Sequence, residues 1–173
     1  MGHAFGKKNP SPRECLSRSE IMAAYRAAVI GLGRMGSTYD DEVARGGTTL
    51  LPYCHGPTYH ESPLTELVAG ADINEEQRAI FGKRWGLSSG QLYTDYREML
   101  SRERLDVVSV TTTARLRASI VQDVARAGVK AIWAEKPIAM SLEEADAMVR
   151  VCREEGVALA INCARRWMHG YSE

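Results

Sequence analysis

The sequence predicts an α/β domain built on a doubly wound parallel sheet of six strands. Three observations carry that prediction. Short, nearly continuous apolar runs such as residues 106–111 have the character of strands buried on both faces. Segments of helical period alternate with them, so each strand-to-strand connection is a crossover. The first apolar run, residues 26–30, leads straight into three glycines spaced Gly31-x-Gly33-x-x-Gly36.

Residues 1–24 are polar and punctuated by Pro10 and Pro12, and read as a flexible extension with a short helical piece near 20–24. The first strand is 26–30. The glycine loop follows, then a helix beginning near Arg34. Residues 46–63 carry Gly46, Gly47, Pro52, Gly56, Pro57 and Pro63, which break any long periodic element. This insertion is long for its place between a helix and a strand, which points to function or disorder. One or two helical turns fit within 53–60. The second strand, 66–72, ends on Asp72, and an amphipathic helix over 74–85 is stopped by Gly86. A short strand at 91–93 precedes a helix over 95–102, for which Thr94 can serve as the cap. The fourth strand is 106–111. A helix over 116–127 closes at Gly128, and the fifth strand is 129–134. Ser141-Leu-Glu-Glu144 is a capping box that opens a helix ending before Gly156, and 157–162 is the last strand. The expected strand order is 3-2-1-4-5-6.

The bulk composition narrows the function. A chain of 173 residues with 45% apolar and 25% charged content suits one ordinary globular domain. The 22 basic and 22 acidic residues cancel, so nothing electrostatic favours nucleic acid or an anionic membrane as a partner. Cys15, Cys54, Cys152 and Cys163 form no C-x-x-C pair and read as reduced thiols in a cytoplasmic protein. No apolar run is long enough to span a bilayer, no signal-peptide core follows Lys7 and Lys8, and Gly6 interrupts a myristoylation pattern.

A strand, then glycines, then a helix is what a dinucleotide pyrophosphate requires. Gly31 permits the tight turn, Gly33 lets backbone approach phosphate, and Gly36 lets the helix pack on the strand. The start of the helix brings free N–H groups and a positive dipole end to the anion. Leu32, Arg34 and Met35 complete the candidate loop. Asp72, ending the second strand, can accept hydrogen bonds from the adenosine ribose and would repel a 2′-phosphate, which leans towards NAD. The alternative, less favoured given the glycine loop, is that it merely caps the next helix. Arg78, one turn on, keeps NADP possible. Thr111, Thr112 and Thr113 end the fourth strand at the crevice edge, where small hydroxyls can approach a cofactor or simply cap the following helix. Glu135-Lys136-Pro137 ends the fifth strand. Lys136 can be aimed into the cleft for acid–base work, and Glu135 can orient it or contact the nicotinamide ribose; the alternative is a surface lysine at a turn. Cys54, His55 and His60 fit no standard zinc spacing, loop histidines are usually solvated or merely packed, and no metal is expected.

These residues together resemble the Gfo/Idh/MocA oxidoreductases. The resemblance covers about residues 25–172. It rests on the glycine loop, Tyr93-Thr-Asp-Tyr-Arg-Glu-Met-Leu100, residues 105–110, Glu135-Lys136-Pro137 with Ala139, and Asn162-x-x-Arg165-Arg166-Trp167. It implies a Rossmann-like domain over 25–164 and hydride transfer between NAD, or NADP, and a sugar or polyol hydroxyl or carbonyl. By the resemblance Lys136 matches the catalytic or substrate-orienting lysine, Gly31, Gly33 and Gly36 the pyrophosphate loop, and Asp72 the ribose acid. Arg166 and Trp167 match a segment that passes near the cofactor. Two departures stand out. Thr113, Ala114 and Arg117 stand where the family usually carries proline, asparagine and a histidine, and a basic group at 117 can alter substrate choice. The family also continues into a second α/β domain holding most substrate contacts, a catalytic histidine and the usual homo-oligomer interface. Residues 165–173 are expected to begin the connection to that domain, which is expected to be missing here, leaving the chain alone weakly active or inactive. The other readings are a non-enzymatic dinucleotide-binding or redox-sensing module that works with a partner chain, and a methyltransferase, which would leave Glu135-Lys136-Pro137 unexplained. Without a second domain, the sixth strand is expected to expose apolar surface and promote association.

Overall fold

The computed structural model describes residues 25–45 and 51–167. The expected extension 1–24, residues 46–50 and residues 168–173, with His169, lie outside the described residues. Six strands form one sheet: β1 (Tyr25–Ile30), β2 (Thr65–Ala71), β3 (Leu92–Tyr93), β4 (Val107–Val110), β5 (Ala131–Glu135) and β6 (Ala158–Asn162). Their order is β3-β2-β1-β4-β5-β6, as expected, and every neighbouring pair is parallel. The chain winds outward from β1 to β3, then returns to the other side of β1 as β4. The loops after β1 and β4 therefore part in opposite directions and open a crevice at the carboxyl ends of the strands.

Alternation along each strand sorts residues onto two faces. One face carries Ala28, Ile30, Val108, Val110, Ile132 and Ala134. It is covered by α5 (Ala114–Arg126) and α6 (Leu142–Glu154), whose apolar stripes include Val121, Val124, Met148 and Val151. The other face carries Ala27, Val29 and Trp133 and meets Tyr59 and Phe81. These come from α2 (His55–Glu61) and α3 (Glu75–Trp85). Two further helices, α1 (Tyr39–Ala44) and α4 (Tyr96–Arg102), complete the set. Gly86 and Gly128 adopt positive φ at the helix ends they were expected to close.

Several local readings are corrected. The chain leaves the glycine loop through a π-helical turn, Arg34–Thr38, before α1 begins. Asp95, not Thr94, caps α4, its Oδ1 accepting from Arg97 N at 2.9 Å; a carboxylate in that position outcompetes a hydroxyl one residue earlier. The box at α6 is half formed. Ser141 Oγ accepts from Glu144 N at 3.2 Å, but Glu144 Oε2 reaches past Ser141 to Met140 N at 2.9 Å. The buried stripe of α3 is narrow, with only Phe81 and Gly82 fully inside, because charged residues interrupt its apolar period.

Candidate functional site

Each of the three loop glycines has a distinct physical reason. Gly31 sits at φ +94°, and a Cβ there would lie 3.0 Å from Thr111 C and Thr112 N. A Cβ on Gly36 would lie 2.2 Å from Gly31 O, so the start of the helix can rest on the turn only without a side chain. A Cβ on Gly33 would meet nothing within 4 Å. The protein itself thus demands glycine at 31 and 36, whereas the space above Gly33 is open to something that approaches the backbone. Thr111 Oγ1 donates to Ile30 O at 3.1 Å and to Gly31 O, fastening the end of β4 to the loop.

Asp72 lies just beyond β2 and faces the same loop. Its Oδ2 accepts from Leu32 N at 2.7 Å, and its Oδ1 accepts from Asn74 N at 2.9 Å. The carboxylate therefore braces the loop and makes a local turn ahead of α3, which Asn74 caps. Each oxygen keeps a second lone pair for a ligand hydroxyl. Arg78 Nη1 donates to Asp72 O at 2.7 Å, so a guanidinium stands beside this acid.

Two clefts flank the glycine loop. The first, of about 330 Å³, is lined by Gly31, Gly33, Asp72, Thr111, Thr112 and Thr113 among others. Thr112 Oγ1 is buried there with no partner among the described residues, a polar atom that a ligand can satisfy. Thr113 occupies the N-cap position of α5, yet its hydroxyl makes no capping bond. The second cleft, of about 600 Å³, is lined by Arg34, Met35, Glu135, Lys136, Asn162 and Arg166 among others. The candidate loop, strand-end and turn residues thus converge on one crevice. The Leu32 side chain goes into the core, leaving its N–H to Asp72, and the Trp167 side chain lies outside the described residues.

The floor of the second cleft is a buried polar chain that sequence reasoning missed. His55 is fully buried and packed against Trp133, with ring centroids 3.8 Å apart and planes tilted by 37°. Its Nε2 lies 3.1 Å from Glu135 Oε1, and its Nδ1 lies 2.8 Å from Ser109 Oγ. Ser109 Oγ is in turn 2.8 Å from Tyr59 Oη. Asn162 Nδ2 donates to Glu135 Oε1 at 2.6 Å, a consequence of the β5–β6 register that pairs these two residues. Burial alone would raise the Glu135 carboxyl. Donation from His55, Asn162 and the Lys136 N–H overcomes that and holds it below the usual carboxylate range. Burial pushes the His55 imidazole down despite Glu135, which favours the neutral ring. The Tyr59 phenol, also buried, is pushed up to about 12.

Lys136 is exposed at the rim of the same cleft. Arg117 corrects the expectation of a basic group able to alter substrate choice. It is 3% exposed and points inward, donating to Thr112 O and Pro137 O. It therefore ties the β4 loop to the β5 turn. Cys54, whose thiol burial pushes up to about 12, donates to Arg34 O, and His55 turns away from it. Among the described residues no three His, Cys, Asp or Glu side chains gather as a metal site.

Residues 25–163 match the model of the Gfo/Idh/MocA oxidoreductase family, NAD-binding Rossmann fold. The chain belongs to this family. A D-apiose dehydrogenase from Paraburkholderia graminis is 41% identical over 102 residues, which are 59% of this chain and 26% of that enzyme. Among solved structures, myo-inositol 2-dehydrogenase from Lactobacillus plantarum superposes with a TM-score of 0.67 at 22% identity, over 86% of this chain and 39% of that one. An oxidoreductase from Agrobacterium radiobacter, solved with NAD⁺, L-tartaric acid and magnesium, gives a TM-score of 0.68 at 21% identity, over 84% and 37%. This Gfo/Idh/MocA chain thus spans well under half the length of these relatives. A histidine in a Gly- and Pro-rich segment offered no pattern to mark it as buried. The one available signal was the length of the insertion, which made function or disorder the alternatives.

Proposed function

We propose that residues 25–164 form the dinucleotide-binding domain of an NAD-dependent oxidoreductase acting on a sugar or polyol hydroxyl or carbonyl. The observation that carries this reading is the convergence of the open-topped Gly33 loop, Asp72 and the Glu135-Lys136 turn on two clefts that share one loop. The first cleft suits an adenosine, with Asp72 receiving ribose hydroxyls and Thr112 Oγ1 gaining a partner. The second suits the nicotinamide end, with Arg34 and Arg166 at its walls. The cofactor supplies the hydride chemistry. Lys136 moves the proton of the substrate hydroxyl or polarises its carbonyl, and Glu135 sets the charge beside it. The D-apiose dehydrogenase relative supports a sugar-type substrate. Free thiols at Cys54, Cys152 and Cys163 fit a reducing cytoplasm.

Asp72 favours NAD over NADP by repulsion of a 2′-phosphate, although Arg78 stands beside it. Parallel calorimetric titration with NAD⁺ and NADP⁺ tests the reading. NAD⁺ is expected to bind more tightly, and Asp72→Ala to weaken it about tenfold through loss of the ribose bonds and of the Leu32 brace. Absence of binding by either dinucleotide would overturn the proposal.

A further inference from the structure

The described part of segment 46–63 is built into both the glycine loop and the Glu135-Lys136 turn. Asp40 Oδ1 accepts from Tyr53 N at 3.0 Å and Cys54 N at 2.8 Å, which starts α2 at a fixed place. A Cβ on Gly56 would lie 2.8 Å from Gly36 O, so α2 rests directly on the glycine loop. One residue earlier, His55 reaches Glu135. An ionised carboxylate only accepts, so His55 Nε2 carries the ring proton and Nδ1 accepts from Ser109 Oγ. The Ser109 hydroxyl hydrogen is then spent on the ring, and Tyr59 supplies the hydrogen of the last bond. With the Glu135 carboxylate ionised, the chain from Tyr59 to Glu135 has one consistent assignment of donors and acceptors.

We infer that His55 is a positioning residue for the Glu135-Lys136 turn. From the far side of the sheet end it fixes the Glu135 carboxylate at the wall of the second cleft. Glu135 Oε2 in turn accepts from Lys136 N at 3.2 Å and so sets where Lys136 leaves the strand. Trp133 holds the imidazole plane, and Asn162 fixes the carboxylate from the β6 side. The insertion is therefore part of the nicotinamide half of the site. This inference rests on the dinucleotide reading.

The test compares the wild-type chain with His55→Phe and His55→Gln, titrating NADH by its fluorescence and ADP by calorimetry. Phenylalanine keeps an aromatic ring against Trp133 but cannot donate, whereas glutamine can still donate to Glu135. ADP occupies only the adenosine half and reports whether the fold and first cleft survive. His55→Phe is expected to hold ADP within about twofold and to lose about tenfold in NADH affinity, with His55→Gln recovering part of the loss. Unchanged NADH affinity in His55→Phe with ADP retained overturns the inference while leaving the dinucleotide reading intact. A wild-type chain that binds neither ligand sinks the dinucleotide reading, and this inference with it. Should His55→Phe lose ADP as well, the ¹⁵N imidazole spectrum of the wild type decides. A neutral ring protonated at Nε2 is expected, and protonation at Nδ1 overturns the assignment.

Discussion

Arg117 shows how a single buried charge can hold two loops at once. Its guanidinium bonds the carbonyls of Thr112 and Pro137, which belong to different strand ends, while its Nε has no partner among the described residues. Arg117→Met would fill much the same space but leave both carbonyls without donors. We expect a loss of about 1–3 kcal/mol in urea denaturation, because unsatisfied buried acceptors cost more than the hydrogen bonds contribute. His55 makes a second prediction. Its folded-state affinity for protons is lowered by burial, so below its ordinary titration range, about pH 6.5, the unfolded chain takes up a proton that the folded chain refuses. Stability therefore falls as pH drops below about 6.5, with a slope approaching 1.4 kcal/mol per pH unit for one proton. The depressed Glu135 carboxyl adds a further loss below its ordinary range, in the same direction. Denaturation midpoints between pH 8 and 5 should show the first phase in the wild type and lack it in His55→Phe. Asp72 and His55 were unequally readable. Asp72 announced itself by its place at the end of a strand, but nothing in the local sequence of His55 distinguishes a solvated imidazole from one enclosed by Ser109 and Glu135.

At the level of elements, the glycine loop separates internal from external demands. Gly36→Ala pushes a methyl into Gly31 O and should cost at least about 2 kcal/mol, with loss of NAD⁺ binding. Gly33→Ala meets no protein atom, so stability should stay within about 1 kcal/mol while NAD⁺ affinity falls about tenfold. Thermal melts and calorimetry on the two variants check this. Unchanged NAD⁺ affinity in Gly33→Ala would mean that the space above Gly33 has no ligand role. The strands and long helices were legible because their periods are set by burial on one side or both. The short helix α2 was legible as one or two turns within 53–60, but which of its residues are buried was not. It buries His55, Gly56, Pro57 and Tyr59, a nearly contiguous set, since it lies in a corner between the sheet and the glycine loop and is enclosed on more than one side. Periodicity has no purchase on such an element.

The whole sheet follows from its crossovers. Parallel strands joined by right-handed connections leave few possible orders, which is why the strand sequence was readable before any contact was known. What the order does not reveal is how far the covering helices extend. On the face that α2 and α3 cover near β1 and β2, the β6 residues Ala158 and Ala160 remain exposed, and β6 is an edge strand among the described residues. Open edges of this kind favour pairing. Sedimentation over a range of concentrations is expected to show association of the chain, reduced in Ala160→Lys; a concentration-independent monomer would refute it. The placement of α2 has a consequence for the molecule as a whole. Through Gly56 and His55 this seven-residue helix abuts both the Gly36 turn and Glu135, so melting that helix alone would dismantle both halves of the crevice together. The amides of α2 should then exchange with solvent as one cooperative unit, and a molecule bridging the two clefts should slow that exchange even though it touches few of those amides.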